Sequence, residues 1–281
     1  MNLIIHIGYA KTSTTTLQSE IFPKIPKEKF FYVGKYYKDG KQDVGFADLL
    51  PSPSKLYSSE LEREHEEFEK WLKTQTKETV LISREGFMSR SGVIGRFIYE
   101  NDPNVGPPET ARSLKRFLKK HEHFFSRIKI LITIRRQFDL IRSVNLHQRK
   151  HRRIDKMEVM DFFYSLKEPE LAEYFNFLKT FKIFSTMFGS ENVHLIPIEG
   201  LYEGNLRHIG EFASIINISP SDTFELFKAA PIINVSKESE EDLMKEATSI
   251  SGEKEITRIY AESNRELDKL LKLELKELNY Y

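Results

Sequence analysis

The sequence of 281 residues contains no cysteine and only one tryptophan, Trp71. Without cysteine, disulfides and thiolate chemistry are excluded, which fits a reducing compartment. Lysine and arginine total 43 against 42 aspartate and glutamate residues, so the formal net charge is +1. This balance gives no global sign of a nucleic-acid binder, and no nucleic acid is expected as a substrate. Any electrostatic function must therefore be local.

Long apolar runs are also absent. No stretch approaches the ~20 residues that a transmembrane helix requires. The N-terminus leads directly into an apolar strand pattern, without the basic region and cleavage site of a secretory signal. We therefore expect a cytoplasmic protein with no membrane span. Since no repeat, low-complexity tract or internal boundary divides the chain, we predict a single domain over residues 1–281.

Five short apolar runs alternate with helical patterns along the chain. We predict strands at 3–7, 30–33, 79–82, 128–134 and 193–198. Buried strands that alternate with helices indicate an α/β fold, a parallel sheet with helices on both faces. Helices are predicted at about 14–21, 60–72, 110–125, 138–150, 171–188, 205–216, 238–249 and 253–278, and long loops at 36–58 and 86–108.

The stretch from Leu3 to Gln18 has the pattern of a phosphate-binding loop. An apolar strand ends at Gly8, Lys11 follows, and five consecutive hydroxyl residues then lead into a helix: Thr12, Ser13, Thr14, Thr15 and Thr16. The unpaired N–H groups and the dipole at a helix start favour an anion. An ordinary N-capped turn is the alternative, but a lysine and five hydroxyls exceed what a cap requires. The spacing also fails the Walker A pattern GxxxxGK[ST], because no second glycine precedes Lys11.

A second anion site is predicted at the end of the fourth strand. Arg135 follows that strand directly, and Ser143 lies eight residues later in the next helix. The planar guanidinium of arginine suits a phosphate, and a serine hydroxyl can complete the site. Alone, the pair is equally consistent with two surface residues. Ligands of parallel sheets bind beyond the carboxyl ends of the strands, so this pair should share one edge with the first loop, Ser83–Glu85 and Glu199. Two anion sites there indicate a ligand with two separated phosphate-type groups.

These two motifs resemble those of the sulfotransferases that use 3′-phosphoadenosine 5′-phosphosulfate (PAPS). The family's KTGTT-like loop, which holds the 5′-phosphosulfate, is similar to KTSTT at 11–15. Its arginine and serine for the 3′-phosphate are matched by Arg135 and Ser143, and RRQ at 135–137 is similar to the bacterial branch. Weaker similarities lie at 191–199, 234–236 and 260–267.

The resemblance implies a P-loop-like sulfotransferase fold and a PAPS-dependent enzyme that sulfates an acceptor hydroxyl. The residues that it implies for donor binding are Gly8, Lys11, Thr12, Ser13, Thr14, Thr15, Thr16, Arg135, Ser143, Asn234 and Ser236. Ser13 departs from the family's pattern, because glycine usually stands at that position. If the position requires a positive φ, serine is unfavourable there.

Three residues are candidates for the chemistry. Lys11 is placed to neutralise the charge that develops on the leaving phosphate oxygen. Glu85, at the end of the third strand, is the predicted base for the acceptor hydroxyl, as in glycan-directed members of the family; its alternative is an ion pair with Arg84 or Arg135. His6 is the second candidate base, although a histidine in an apolar strand is more often a packed core residue. We expect a carbohydrate acceptor, then a lipid-linked or small-molecule one, with the two long loops lining its pocket.

Other interpretations stay open. The basic segment from Arg142 to Lys156 either grips an acidic acceptor or is a solvated helix end. His147 and His151 have the spacing of a metal pair, but the cations around them disfavour a metal and none is predicted. A P-loop kinase that uses ATP and Mg²⁺ is the first rival function, although the GK[ST] step is missing. A non-catalytic nucleotide-binding relative is the second.

Overall fold

The computed structural model describes residues 1–9, 11–26, 28, 30–34, 36–38, 41–43, 61–83, 107–150, 158–165, 173–231 and 250–281. Its strands are β1 (Asn2–Gly8), β2 (Phe30–Val33), β3 (Tyr36–Lys38), β4 (Lys41–Asp43), β5 (Thr79–Ser83), β6 (Arg127–Ile134) and β7 (Val193–Pro197). Five of them form one parallel sheet in the order β2-β5-β1-β6-β7. The five predicted strands and the predicted parallel sheet are confirmed.

Helices connect these strands and cover the sheet. In chain order they are α1 (Thr14–Thr16), α2 (Leu61–Thr74), α3 (Pro107–Lys119), α4 (Gln137–Lys150), α5 (Val159–Ser165), α6 (Phe177–Phe188), α7 (Ile198–Tyr202), α8 (Leu206–Ile216), α9 (Pro220–Ala229) and α10 (Ile250–Leu271). α1 continues as a π-helical turn, Leu17–Ile21. Within the described part of the chain, no helix has the length and apolar character to cross a membrane.

Helices cover both faces of the sheet, as predicted. Successive residues of a strand point to opposite faces, so Leu3 and Ile5 belong to one apolar cluster and Ile4 to the other. The first cluster includes side chains of α2, α3, α4, α6 and α10, and the second includes those of the π-helical turn, α8 and α9. The sheet is therefore buried on both sides, which explains why its strands are continuous apolar runs in the sequence.

Several predicted boundaries were wrong. The predicted loop at 36–58 contains a hairpin, since β3 pairs with β4 in antiparallel fashion. The helix predicted at 171–188 begins only at Phe177, because the Asn176 side chain accepts a hydrogen bond from the Lys179 N–H and caps it there. The last helix ends at Leu271, where Lys272 takes a positive φ of 55°.

Other differences follow from the same local signals. The helix predicted at 110–125 begins at Pro107 and ends at Lys119, before a separate 3-10 turn. Proline is favoured in the first turn of a helix, because an N–H at that position would have no partner within the helix. Helices α5, α7 and α9 were missed, although Ser219 followed by Pro220 is a cap signal that could have found α9. The predicted helix at 238–249, and residues 44–58 and 86–106 of the predicted loops, lie outside the described residues.

The order of strands creates a crevice beside β1. The chain leaves β1 toward β2, on one side of the sheet, and leaves β6 toward β7, on the other. Adjacent strands whose connections depart in opposite directions open a crevice at their carboxyl ends, which is where open α/β sheets bind ligands. β1 and β6 are such a pair, with Gly8 beside Thr133. The loop after β1 and the segment after β6 therefore face the same crevice.

Candidate functional site

Gly8 allows the loop after β1 to close tightly. A Cβ added at Gly8 would lie 2.3 Å from Thr14 Cγ2, 2.8 Å from Thr133 Oγ1 and 3.0 Å from Thr12 Oγ1. All three threonines are buried, so none of these side chains can move away freely. The start of α1 is consequently packed directly onto the ends of β1 and β6.

The backbone of this loop takes left-handed conformations at two positions. Lys11 has φ 67°, and Ser13 has φ 55° and ψ 23°. Alternation of right- and left-handed residues turns successive N–H groups to one side and forms a concave anion-binding "nest". Position 13 therefore requires a positive φ, the condition under which serine is unfavourable there. The Ser13 side chain also makes no capping hydrogen bond to α1.

Burial alternates along the five hydroxyl residues. Thr12, Thr14 and Thr16 are buried, whereas Lys11, Ser13 and Thr15 are partly exposed. The Thr12 hydroxyl donates to the Tyr9 carbonyl at 2.7 Å and lies 3.0 Å from Thr133 Oγ1. Thr12 therefore anchors the loop to the sheet, and the side chains that a ligand reaches most easily are Lys11, Ser13 and Thr15.

His6 lies beneath the loop as a buried group with no exposed surface. Its Nδ1 is 2.7 Å from Ser83 Oγ and its Nε2 is 3.2 Å from Thr133 Oγ1, so the ring joins the carboxyl ends of three neighbouring strands. Burial lowers the pKa of His6 to about 3, since the charged imidazolium is poorly solvated there. This geometry fits a packed core residue. The apolar strand pattern had favoured that interpretation over a catalytic base. A role for His6 as the base would require the ring to leave these partners.

Arg135 and Lys11 meet across the crevice. Arg135 Nη1 donates a hydrogen bond to the carbonyl oxygen of Lys11 at 3.1 Å, although 124 residues separate them. Both side chains are partly exposed. Ser143, which is also partly exposed, follows in α4 about two turns from its start. The fold thus brings cations of both predicted anion motifs to one place.

His147 is a member of this site that the sequence did not identify. The Lys11 ammonium Nζ lies 3.2 Å from His147 Nδ1, on α4. From its spacing, His147 was only half of a possible metal pair with His151, which lies outside the described residues. In the described part of the chain, no three His, Asp or Glu side chains form a group that could hold a metal ion. The i, i+4 spacing on one helix could not reveal a contact with a loop 136 residues away.

The second arginine of the RRQ motif is held in an ion pair. The Arg136 guanidinium pairs with Asp139 at 2.6 Å, and Arg142 pairs with the same carboxylate at 3.2 Å. Arg142 also lies over the Phe138 ring, 5.6 Å from its centroid. Arg142 is therefore held in an ion pair within α4. Residues 151–156 of the basic segment lie outside the described residues.

Glu199 and Tyr280 hold the backbone next to Arg135. The Glu199 carboxylate accepts a hydrogen bond from the Arg136 N–H at 2.9 Å and another from the Tyr280 hydroxyl at 2.9 Å. Burial raises the pKa of Glu199, and these hydrogen bonds oppose the rise. Glu199 was predicted at the rim of the site, and it lies on α7 as a support of the segment after β6. Three other candidates, Glu85, Asn234 and Ser236, lie outside the described residues.

Comparisons with known proteins bear on this arrangement. Neither a family profile nor a curated protein matches the sequence. Among solved structures, the chain is similar to a sulfotransferase from Alicyclobacillus acidocaldarius, with a TM-score of 0.50 and 14% identity over 98% of this chain and 97% of that chain. The fold is sulfotransferase-like. Because the identity is low, the similarity concerns the architecture, and the function has to be argued from the site.

Proposed function

We propose that this protein is a single-domain, PAPS-dependent sulfotransferase that sulfates a hydroxyl of an acceptor, most simply a carbohydrate or glycoconjugate. The observation that supports this best is the contact between Arg135 and the Lys11 carbonyl, 3.1 Å. It joins the two motifs that resemble the 5′- and 3′-phosphate sites of PAPS enzymes. The sulfotransferase-like fold adds an architectural argument.

The residues of the crevice fit such a donor. The left-handed backbone at Lys11 and Ser13 suits a phosphosulfate at the loop. Arg135, with its planar guanidinium, and Ser143 on the following helix would hold the 3′-phosphate. Two cationic groups at one crevice in a chain of net charge +1 also meet the requirement that the electrostatic function be local.

The chemistry assigned to the chain is electrostatic stabilisation with proton removal. PAPS, when bound, supplies the sulfuryl group, which transfers in line from a phosphate oxygen to the acceptor oxygen, much as in phosphoryl transfer. Lys11 would neutralise the negative charge on the phosphate oxygen as its bond to sulfur breaks. His147 accepts a hydrogen bond from the Lys11 ammonium and so holds it at the crevice. Glu85 would take the proton of the acceptor hydroxyl as the new sulfur–oxygen bond forms.

Donor binding is the first test. The product adenosine 3′,5′-bisphosphate (PAP) is added in a thermal-shift assay, and ATP with Mg²⁺ is the comparison. A ligand that binds only the native state raises its stability by RT ln(1 + [L]/Kd), about 2.7 kcal/mol at a hundredfold excess over Kd. We expect stabilisation by PAP and a much smaller effect of ATP with Mg²⁺. The reverse result would favour the kinase, and PAP binding without transfer of labelled sulfate would favour a non-catalytic relative.

Variants of the two motifs then separate chemistry from binding. Lys11→Ala should slow transfer by about 10²–10³-fold, the loss seen when one transition-state donor is removed. Arg135→Ala should mainly raise the Kd of PAP, by about 10–100-fold, since hydrogen bonds to charged groups contribute about 1.5–3 kcal/mol. The matched control is Arg127→Ala, because Arg127 is an exposed arginine at the opposite end of the same strand. Equal losses in Arg127→Ala and Arg135→Ala would contradict the assignment.

The base is tested by Glu85→Gln, which removes the proton acceptor with little change of volume. We expect the variant to lose most of its turnover and still bind PAP, because a general base contributes roughly 10²–10⁴ in rate. Turnover within about threefold of the wild type would exclude Glu85 as the base.

A further inference from the structure

The segment directly after Arg135 is connected by hydrogen bonds to two other parts of the fold. Glu199 Oε1 accepts the Arg136 N–H at 2.9 Å, and Glu199 Oε2 accepts the Tyr280 hydroxyl at 2.9 Å. A single partly buried carboxylate therefore connects the tail after α10 with the backbone beside Arg135. The two donors give each carboxylate oxygen a hydrogen bond, which offsets the loss of water on partial burial.

A second set of contacts secures the same connection. The side-chain amides of Gln137 and Asn264 bond each other in both directions, at 2.9 and 3.1 Å. The Asn264 amide also donates to the Tyr280 carbonyl at 2.9 Å. Gln137, Asn264 and Tyr280 are all buried. The side chain of Tyr280 is thus linked to position 136 through Glu199, and its main chain to position 137 through Asn264.

These contacts bear on Arg135 because its backbone has little freedom left. Ile134, before it, is the last residue of β6, and its side chain is packed in the core. Arg136 and Gln137, after it, are fixed by Glu199 and Asn264. These two anchors hold the backbone position from which the Arg135 guanidinium reaches the Lys11 carbonyl.

We propose that Tyr280, acting through Glu199, is a positioning residue for Arg135. Under the proposed function, on which this use rests, Tyr280 sets the affinity of the 3′-phosphate site without touching the donor. Removal of its hydroxyl leaves one oxygen of the partly buried Glu199 carboxylate without its donor. The carboxylate can then shift, and the hydrogen bond that it accepts from the Arg136 N–H is weakened. Such positioning affects function because a small displacement of a phosphate-binding group lowers both the affinity and the rate.

The test compares Tyr280→Phe with Tyr281→Phe. The control removes the same hydroxyl from the next residue, where it donates to Asp268 at 2.8 Å outside the network. By calorimetry, Tyr280→Phe should raise the Kd of PAP about fivefold, the value of one net hydrogen bond, and raise the KM for PAPS more than it lowers kcat. Tyr281→Phe should bind PAP as the wild type does. A lower melting temperature in Tyr280→Phe with unchanged PAP affinity would show a purely structural role and overturn the inference.

Two further measurements keep the inference separate from the proposed function. In an Arg135→Ala background, Tyr280→Phe should no longer change the Kd of PAP, because the residue that it positions is gone. Amide hydrogen exchange of residues 134–138, measured without ligand, should accelerate in Tyr280→Phe and not in Tyr281→Phe. If the wild type fails to bind PAP, the proposed function is wrong. If exchange is equal in the two variants, Tyr280 does not position the segment around Arg135, whichever ligand the site binds.

Discussion

Gly8→Ala is the substitution whose effect the structure defines most sharply. Gly8 ends β1 and has ordinary neighbours in sequence, but its Cα faces three buried threonine side chains. The new methyl group would lie 2.3 Å from the methyl of Thr14 and 2.8 Å from the Thr133 hydroxyl. Both distances are far below van der Waals contact, so the start of α1 and the end of β6 must move apart.

The magnitude follows from two effects that act together. Overpacking of a well-packed core costs about 1–3 kcal/mol. The methyl group also crowds the hydroxyls of Thr12 and Thr133, which are 3.0 Å apart, and a lost hydrogen bond costs roughly 1 kcal/mol more. The sum is about 2–4 kcal/mol of destabilisation. For a chain of this size, such a loss lowers the melting temperature by roughly 5–10 °C.

The assay is urea denaturation of Gly8→Ala beside Gly210→Ala. Gly210 lies in α8, and a Cβ added there meets no atom within 4 Å. Alanine within a helix is favoured over glycine by about 0.5–1 kcal/mol, so the control variant should become more stable. The two variants therefore change stability in opposite directions. A Gly8→Ala protein as stable as the wild type would refute the close packing on which the loop geometry depends.

Two more predictions concern the same loop. Because unfolded histidine binds a proton near pH 6.5 and native His6 only near pH 3, stability should fall as pH decreases through this window, by up to roughly 1.4 kcal/mol per pH unit from this group. Urea titrations at several pH values should give a shallower dependence for His6→Gln, and equal slopes would contradict the assignment. Ser13→Gly should raise the free energy of unfolding by about 0.5–1 kcal/mol, because the left-handed backbone is unfavourable for serine. Asn217→Gly, with φ 58° at the end of α8, is its comparison outside the site, and a destabilised Ser13→Gly would show that the hydroxyl contributes more than the backbone relief.

The structure also separates two roles that the sequence had merged within each motif. In the first motif, Thr12 is buried and bonds the loop to the sheet, whereas Lys11 and Thr15 are partly exposed. In the second, Arg135 approaches the loop and Arg136 pairs with Asp139. A motif in which neighbouring residues alternate between support and contact should respond unevenly to alanine substitution, with losses of stability and losses of binding at different positions.

Local patterns in the sequence were sufficient to predict the sheet and the shared edge at which its two cationic motifs lie. The strands are apolar on both faces because helices cover both sides, and that is visible as short continuous runs. The carboxyl-end rule then placed Gly8, Lys11 and Arg135 at one edge, and the structure brings Lys11 and Arg135 into contact. Helix boundaries were less predictable, because a single cap such as Asn176 overrides an apolar pattern that continues through it.

Only the tertiary structure decided which residues complete and support that site. His147 meets Lys11 across 136 residues, Gln137 meets Asn264 across 127, and Glu199 meets Tyr280 across 81. No spacing within a helix or strand encodes such pairs, since they depend on how whole elements pack around the sheet. The sequence by itself determined a strand, a tight loop and two cationic motifs, because those follow from local periodicity and residue chemistry. The direction of each cation is a property of the packed fold, because it is set by partners that only folding brings near.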